Sequence, residues 1–104
     1  MTDACFVPAA AADALPAGST LAVTMGALQI LLCRDGDAIH AIENRCSHRE
    51  EPLTCGMMRW GWIACPAHGA RFDLATGEVL GPPATVPIRT FPVRVIEGTI
   101  EVAA

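Results

Sequence analysis

The chain has no apolar run approaching the roughly 20 residues that a membrane-spanning helix needs. Its start, Met1-Thr2-Asp3-Ala4, lacks the basic segment that opens a secretory signal. These two absences predict a cytoplasmic protein with no membrane part. No internal repeat and no low-complexity linker interrupts the 104 residues, so a single domain over 1–104 is expected. There is also no nucleotide-binding glycine motif, no nucleophile–base pair and no second metal triad. The chain is therefore expected not to turn over a substrate alone, and so not to be an enzyme. Basic charge is scarce: 7 Lys and Arg stand against 11 Asp and Glu, for a net charge of −4. Such a balance argues against nucleic acid, whose phosphates demand a basic face. It suits partners with basic docking surfaces, found by salt-sensitive steering. A hydrophobic content of 52% excludes a disordered chain.

Four residues carry the chemistry. Cys46-Ser47-His48 is followed, after sixteen residues, by Cys65-Pro66-Ala67-His68. Each pair is compact enough for one loop. Thiolate and imidazole are the ligands that iron, zinc and copper select. Two of each can hold a tetrahedral zinc, or a [2Fe–2S] cluster with sulfur on one iron and nitrogen on the other. The single residue between Cys46 and His48 is shorter than the usual structural zinc spacings, so spacing favours the cluster. Gly56, Gly69 and Gly81 would let backbone approach it closely. Pro66 and Pro82-Pro83 would stiffen the loops.

Three further cysteines remain. Cys33 ends the apolar run Leu28-Gln29-Ile30-Leu31-Leu32 and reads as a buried small hydrophobe. Cys5, in an expected first strand, reads the same way. Cys55 lies between the ligand pairs and is expected as a free thiol. His40, inside Ala38-Ile39-His40-Ala41-Ile42, reads as a structural or surface residue and not a ligand.

The local pattern is all-β. Leu21–Thr24 and Leu28–Cys33 flank Met25-Gly26, a hairpin signal. Asp35-Gly36 turns the chain into Ala38–Ile42, and Glu97-Gly98 separates Val93–Ile96 from Thr99–Val102. Pro92 stands where a strand begins and a missing N–H is tolerated. The Ala-rich stretch Ala9–Ala14 predicts a short helix or turn before the first long strand. Arg59-Trp60-Gly61-Trp62-Ile63 suits a strand with both indoles on one face. Both, with Phe72 and Phe91, are expected in the core.

Cys46-Ser47-His48-Arg49, Cys65-Pro66-Ala67-His68-Gly69 and Gly81-Pro82-Pro83 resemble the three cluster-holding segments of Rieske proteins. Arg71-Phe72-Asp73-Leu74 and Thr76-Gly77 fit the same pattern. The chain is most similar to the small Rieske ferredoxins of ring-hydroxylating oxygenase systems. That resemblance implies antiparallel base sheets with a cluster-binding unit inserted over about residues 43–83. It implies one [2Fe–2S] cluster, with Cys46 and Cys65 on one iron and His48 and His68 on the other. It implies a monomeric one-electron carrier between a flavin reductase and a terminal oxygenase. The small Rieske subunit of an assimilatory nitrite reductase is the alternative, and a zinc-binding interaction module a more distant one. The chain departs from the family pattern at Cys55, where a polar or acidic residue is usual, and at Met57-Met58-Arg59-Trp60, bulkier than the usual polar turn. Where high-potential relatives place a second cysteine in each loop, this chain has Glu51 and Ala67. Where they place hydroxyls it has Ala70 and Phe72. With Glu50 and Glu51 adding negative charge beside His48, a low reduction potential is implied.

Overall fold

Two-residue turns organise the molecule. In this computed structural model, which describes residues 5–47, 51–54, 56–67, 69–82 and 84–104, strands β2 (Thr20–Met25), β3 (Leu28–Asp35) and β4 (Ala38–Glu43) form consecutive hairpins. Met25 pairs with Leu28 and Asp35 with Ala38. The first turn residues, Gly26 and Gly36, both have φ of 62°, a backbone state that glycine reaches without a Cβ clash. At the other end of the chain, β10 (Val93–Ile96) and β11 (Thr99–Ala103) close over Glu97-Gly98. There φ is 50° and 79°, as a type I′ turn requires.

Three antiparallel sheets result among the described residues. One has the order β1-β11-β10, with β1 at Phe6–Ala11. The second has the order β2-β3-β4-β9, with β9 at Thr90–Phe91. The third runs in sequence order through β5 (Met57–Arg59), β6 (Trp62–Ala64), β7 (Arg71–Asp73) and β8 (Val79–Gly81). It lies in the chain between β4 and β9, which pair directly through Ala41–Phe91 and Ile42–Thr90. The class is all-β, as the turn pattern predicts.

Strand β3 explains its own unbroken apolar run. Ile30 and Leu32 pack with Leu15, Ala41, Phe91, Ile100 and Val102 between the first two sheets. Leu31 and Cys33 point the other way, into a second cluster with Ile63, Phe72 and Leu74 of the third sheet and its turns. A strand buried on both faces carries apolar residues without alternation.

Three expectations need correction. Cys5 is exposed and precedes β1, so it is no core residue. Ala9–Ala11 belong to β1, and only Ala12–Ala14 form a short 3₁₀ turn. Pairing with β11 outweighs the weak preference of alanine. Register shifts between Pro8 and Ala10, where an edge strand tolerates proline. Arg59–Ile63 is a hairpin rather than one strand: Arg59 pairs with Trp62 across Trp60-Gly61, with φ of 46° and 81°. Trp60 is consequently 80% exposed. Trp62 is half-buried, whereas Phe72 and Phe91 are buried as expected.

Candidate metal centre

Cys46 lies on the segment between β4 and β5, and Cys65 directly follows β6. Each sits at the root of a loop closed by backbone hydrogen bonds. The Cys46 N–H donates to the Glu51 carbonyl at 2.7 Å. The Cys65 N–H donates to the Ala70 carbonyl at 2.7 Å, and the Gly69 N–H returns to the Cys65 carbonyl at 2.9 Å. Both cysteines are buried, at 0% and 3% exposure, in one cluster with Leu53, Ala70, Phe72 and Ala84. The fold thus brings the two predicted sulfur ligands into one core. His48 and His68 lie outside the described residues, as do Cys55 and Glu50.

The neck of the first loop is held by a residue that the motif did not flag. Asn44 Oδ1 accepts from the N–H groups of Leu53 (2.8 Å) and Thr54 (3.2 Å), and Asn44 Nδ2 donates to Thr54 Oγ1 at 2.9 Å. Its own N–H donates to the Gln29 carbonyl in β3 at 2.9 Å. One residue therefore joins both ends of the Cys46 loop through its side chain and ties them to the base through its backbone N–H. Asparagine two residues before a ligand cysteine, just after a strand, was the available signal, because short polar side chains bond nearby backbone.

A third segment, after β8, is pinned to the first loop and to the β7–β8 turn. Ser47 Oγ donates to the Val86 carbonyl. The Ile88 N–H donates to the Gly77 carbonyl at 3.0 Å. Gly77 has φ of 78°, and a Cβ there would collide with the Ile88 carbonyl. Gly56 is equally constrained, since a Cβ would collide with the Ala64 carbonyl.

The remaining described cysteines are set apart by environment. Burial pushes the Cys33 thiol up to about 12, so it stays protonated and is a poor metal ligand. Cys5 is exposed at the far end of the chain. His40 lies in β4 opposite Cys33. Two buried cysteines at the roots of two hydrogen-bonded loops, each loop also bearing a histidine in sequence, fit a metal group held by thiolates and imidazoles.

The Rieske [2Fe-2S] domain family matches residues 5–92. The chain belongs to this family. Among curated Rieske relatives, the ferredoxin component of the naphthalene 1,2-dioxygenase/salicylate 5-hydroxylase systems of Ralstonia sp. is 33% identical over 90 residues, covering 86% of each chain. The solved ferredoxin of carbazole 1,9a-dioxygenase from Nocardioides aromaticivorans IC177 superposes with a TM-score of 0.90 at 36% identity, over 94% of this chain and 96% of that one. A chain from the complex of reduced oxygenase and oxidized ferredoxin in carbazole 1,9a-dioxygenase superposes at 0.89 with 33% identity, over 97% and 94%. A putative NADH-dependent nitrite reductase small subunit from Mycobacterium tuberculosis superposes at 0.87 with 27% identity, over 99% and 97%. The protein is a Rieske-type ferredoxin, an electron-transfer component and not itself a catalyst, and it carries one [2Fe–2S] cluster. The zinc alternative is thereby set aside. No helix among the described residues is long and apolar enough to cross a membrane.

Proposed function

We propose that the protein takes single electrons from a flavin reductase and delivers them to a terminal ring-hydroxylating oxygenase. The observation that carries this reading is the placement of Cys46 and Cys65 in one buried cluster, on hydrogen-bonded loops, in a chain similar along nearly its whole length to dioxygenase ferredoxins. Cys46 and Cys65 hold one iron and His48 and His68 the other. When bound, the cluster supplies one-electron redox chemistry. The chain's own residues enclose the sulfur ligands in apolar surroundings, fix both loops by backbone bonds and tie the first loop to the base through Asn44. Residues 1–104 act as one domain, with about 43–83 as the cluster-binding unit and the rest as its base. The carrier works as a monomer in the cytoplasm, free of membrane and nucleic acid.

Two measurements test this. Purified protein matured with iron should contain two irons and two acid-labile sulfides per chain; stoichiometric zinc instead would sink the reading. Reduced protein should then restore turnover of a ring-hydroxylating oxygenase. Transfer only within a nitrite reductase assembly, the alternative raised by the Mycobacterium neighbour, would replace it.

A further inference from the structure

The Trp60-Gly61 turn is an oddity that the cluster does not explain. Trp60 adopts φ of 46°, a left-handed state that costs a bulky L-residue roughly 1 kcal/mol or more. It contributes nothing to the core, being 80% exposed. Asparagine-glycine is the pair that such a turn favours. A strained, solvent-facing indole that adds nothing to the core points to a use outside the fold.

Its surroundings say what that use is. Arg59 Cζ sits 5.6 Å from the centre of the Trp60 ring, and Arg71 Cζ 5.4 Å from that of Trp62. The two indoles meet edge to face, 6.4 Å apart at 63°. Strand alternation and pairing put Met57, Arg59, Trp62 and Arg71 on the outer face of the third sheet, opposite Met58, Ile63 and Phe72. Met57 is 56% exposed. The Gly61 N–H is anchored at 2.5 Å to Asp35 Oδ2 of the β3–β4 turn, so the tip is held rather than loose. Arg45 and Arg94 pair with Glu43 and Glu101, and Arg34 donates to the Leu15 carbonyl. Arg59 and Arg71, by contrast, meet no carboxylate among the described residues. Asp73 shares that face opposite Trp62, with Oδ1 taken up by the Ala75 and Thr76 N–H groups. In a chain of net charge −4, this is an aromatic patch with two exposed arginines against one hydrogen-bonded carboxylate. Tryptophan and arginine are the residues that dominate protein interfaces.

We infer that the Arg59–Trp60–Trp62–Arg71 face is the docking surface for the acidic member of the carrier's two redox partners, a protein presenting carboxylates beside a hollow that takes the Trp60 indole. The inference rests on the carrier reading above. A carrier must recognise two different proteins. The Cys46 loop, with Glu51 exposed at its end, suits a basic surface, and the cationic flank suits an acidic one. At physiological salt, charges beyond about 8 Å are largely screened, so the local patch outweighs the net negative charge.

The test uses the full-length, cluster-loaded protein. Steady-state and stopped-flow transfer are measured separately with the reductase and with the oxygenase, for wild type, Trp60→Asn, Trp60→Tyr and Arg59→Gln. In one half-reaction Trp60→Asn should raise the KM for the carrier about tenfold, Trp60→Tyr should restore much of it, and Arg59→Gln should flatten the salt dependence. The other half-reaction, the iron content and the midpoint potential should not change. The thermal midpoint of Trp60→Asn should equal or exceed that of wild type, an outcome no purely structural role would give. Unchanged kinetics in both half-reactions, or equal losses in both, overturn the inference. So does a wild-type dimer in sedimentation that Trp60→Asn dissociates, since a second copy is then the occupant. A wild type that exchanges electrons with neither protein removes the carrier reading as well, whereas an active wild type with neutral variants removes only the docking surface.

Discussion

The molecule has two cores of different make. The lower one, between the first two sheets, is assembled from strand side chains around Ile30, Leu32, Ile100 and Val102. Its geometry follows from ladders and tight turns. The upper one surrounds Cys46 and Cys65 and draws much of its lining from turns and loops, including Leu53, Ala70, Ala84 and Ile88. Its strands are three residues each, too short to be stable by pairing alone. The lower core can therefore hold its shape by itself, while the upper one depends on side-chain buckles and on what its cysteines bind.

The most drastic way to break this contrast is to remove a proposed ligand. Cys65→Ser should abolish or strongly alter the visible spectrum, whereas Cys55→Ser should leave it intact. Amide exchange in the Cys65→Ser protein should accelerate across β5–β8 and stay slow in β3 and β11. Uniform loss of protection would show that the two cores stand or fall together.

Alkaline pH probes the wall between the cores. The Cys33 thiol titrates near 9.0 when unfolded and at about 12 when folded. Above pH 9 the unfolded chain gives up a proton that the folded chain keeps, so stability falls as pH rises from about 9 toward 12. The full effect is on the order of 4 kcal/mol. The chain has no tyrosine and its seven basic residues are all arginine, so among side chains only the cysteines as a class belong to this pH range, and the Cys33→Ala comparison isolates Cys33 from the other four. Urea denaturation at pH 8 and 11 should show a loss that Cys33→Ala largely removes. Equal losses in the two proteins would contradict it.

A smaller effect sharpens the role of the loop buckle. Asn44→Ala strands the Leu53 and Thr54 N–H groups and should cost about 1–3 kcal/mol. It should also speed iron release to a chelator, with Asn44→Asp closer to wild type because it keeps the acceptor. Chelator kinetics that do not separate the two variants would refute that role.

The last effect is read as a midpoint potential and concerns the upper core alone. Ala70 and Phe72 are buried with Cys46 and Cys65, and neither offers a hydroxyl. The midpoint potential should lie toward the negative end of the roughly −150 to +300 mV range of Rieske centres. Ala70→Ser with Phe72→Tyr should move it upward, because a donor to sulfur favours the reduced state. Voltammetry that places the wild type well above zero would count against the argument.

The contrast between the cores also explains what was legible beforehand. Met25-Gly26, Asp35-Gly36 and Glu97-Gly98 announced three hairpins because turn chemistry is local. Cys46 and Cys65 were legible because soft ligands in compact pairs have few other uses. Trp60 was misplaced because a β-former before glycine looks like strand, and only the pairing of Arg59 with Trp62 reveals the turn. β1 was partly missed because alanine carries little strand signal and the partner strand lies at the opposite end of the chain. Asn44 was passed over because its bonds span about ten residues, beyond the reach of a motif read by spacing.

Strand β3 turns position parity into a diagnostic. Residues 30 and 32 belong to one core and residues 31 and 33 to the other, so a single step along the backbone changes which half of the protein feels a substitution. Damage at Ile30 or Leu32 falls first on the platform and spares the iron content until the fold fails. Damage at Leu31 or Cys33 falls first on cluster retention while the platform stays intact. Four consecutive residues thus form a built-in pair of controls, each reporting on the half of the molecule its neighbour leaves alone.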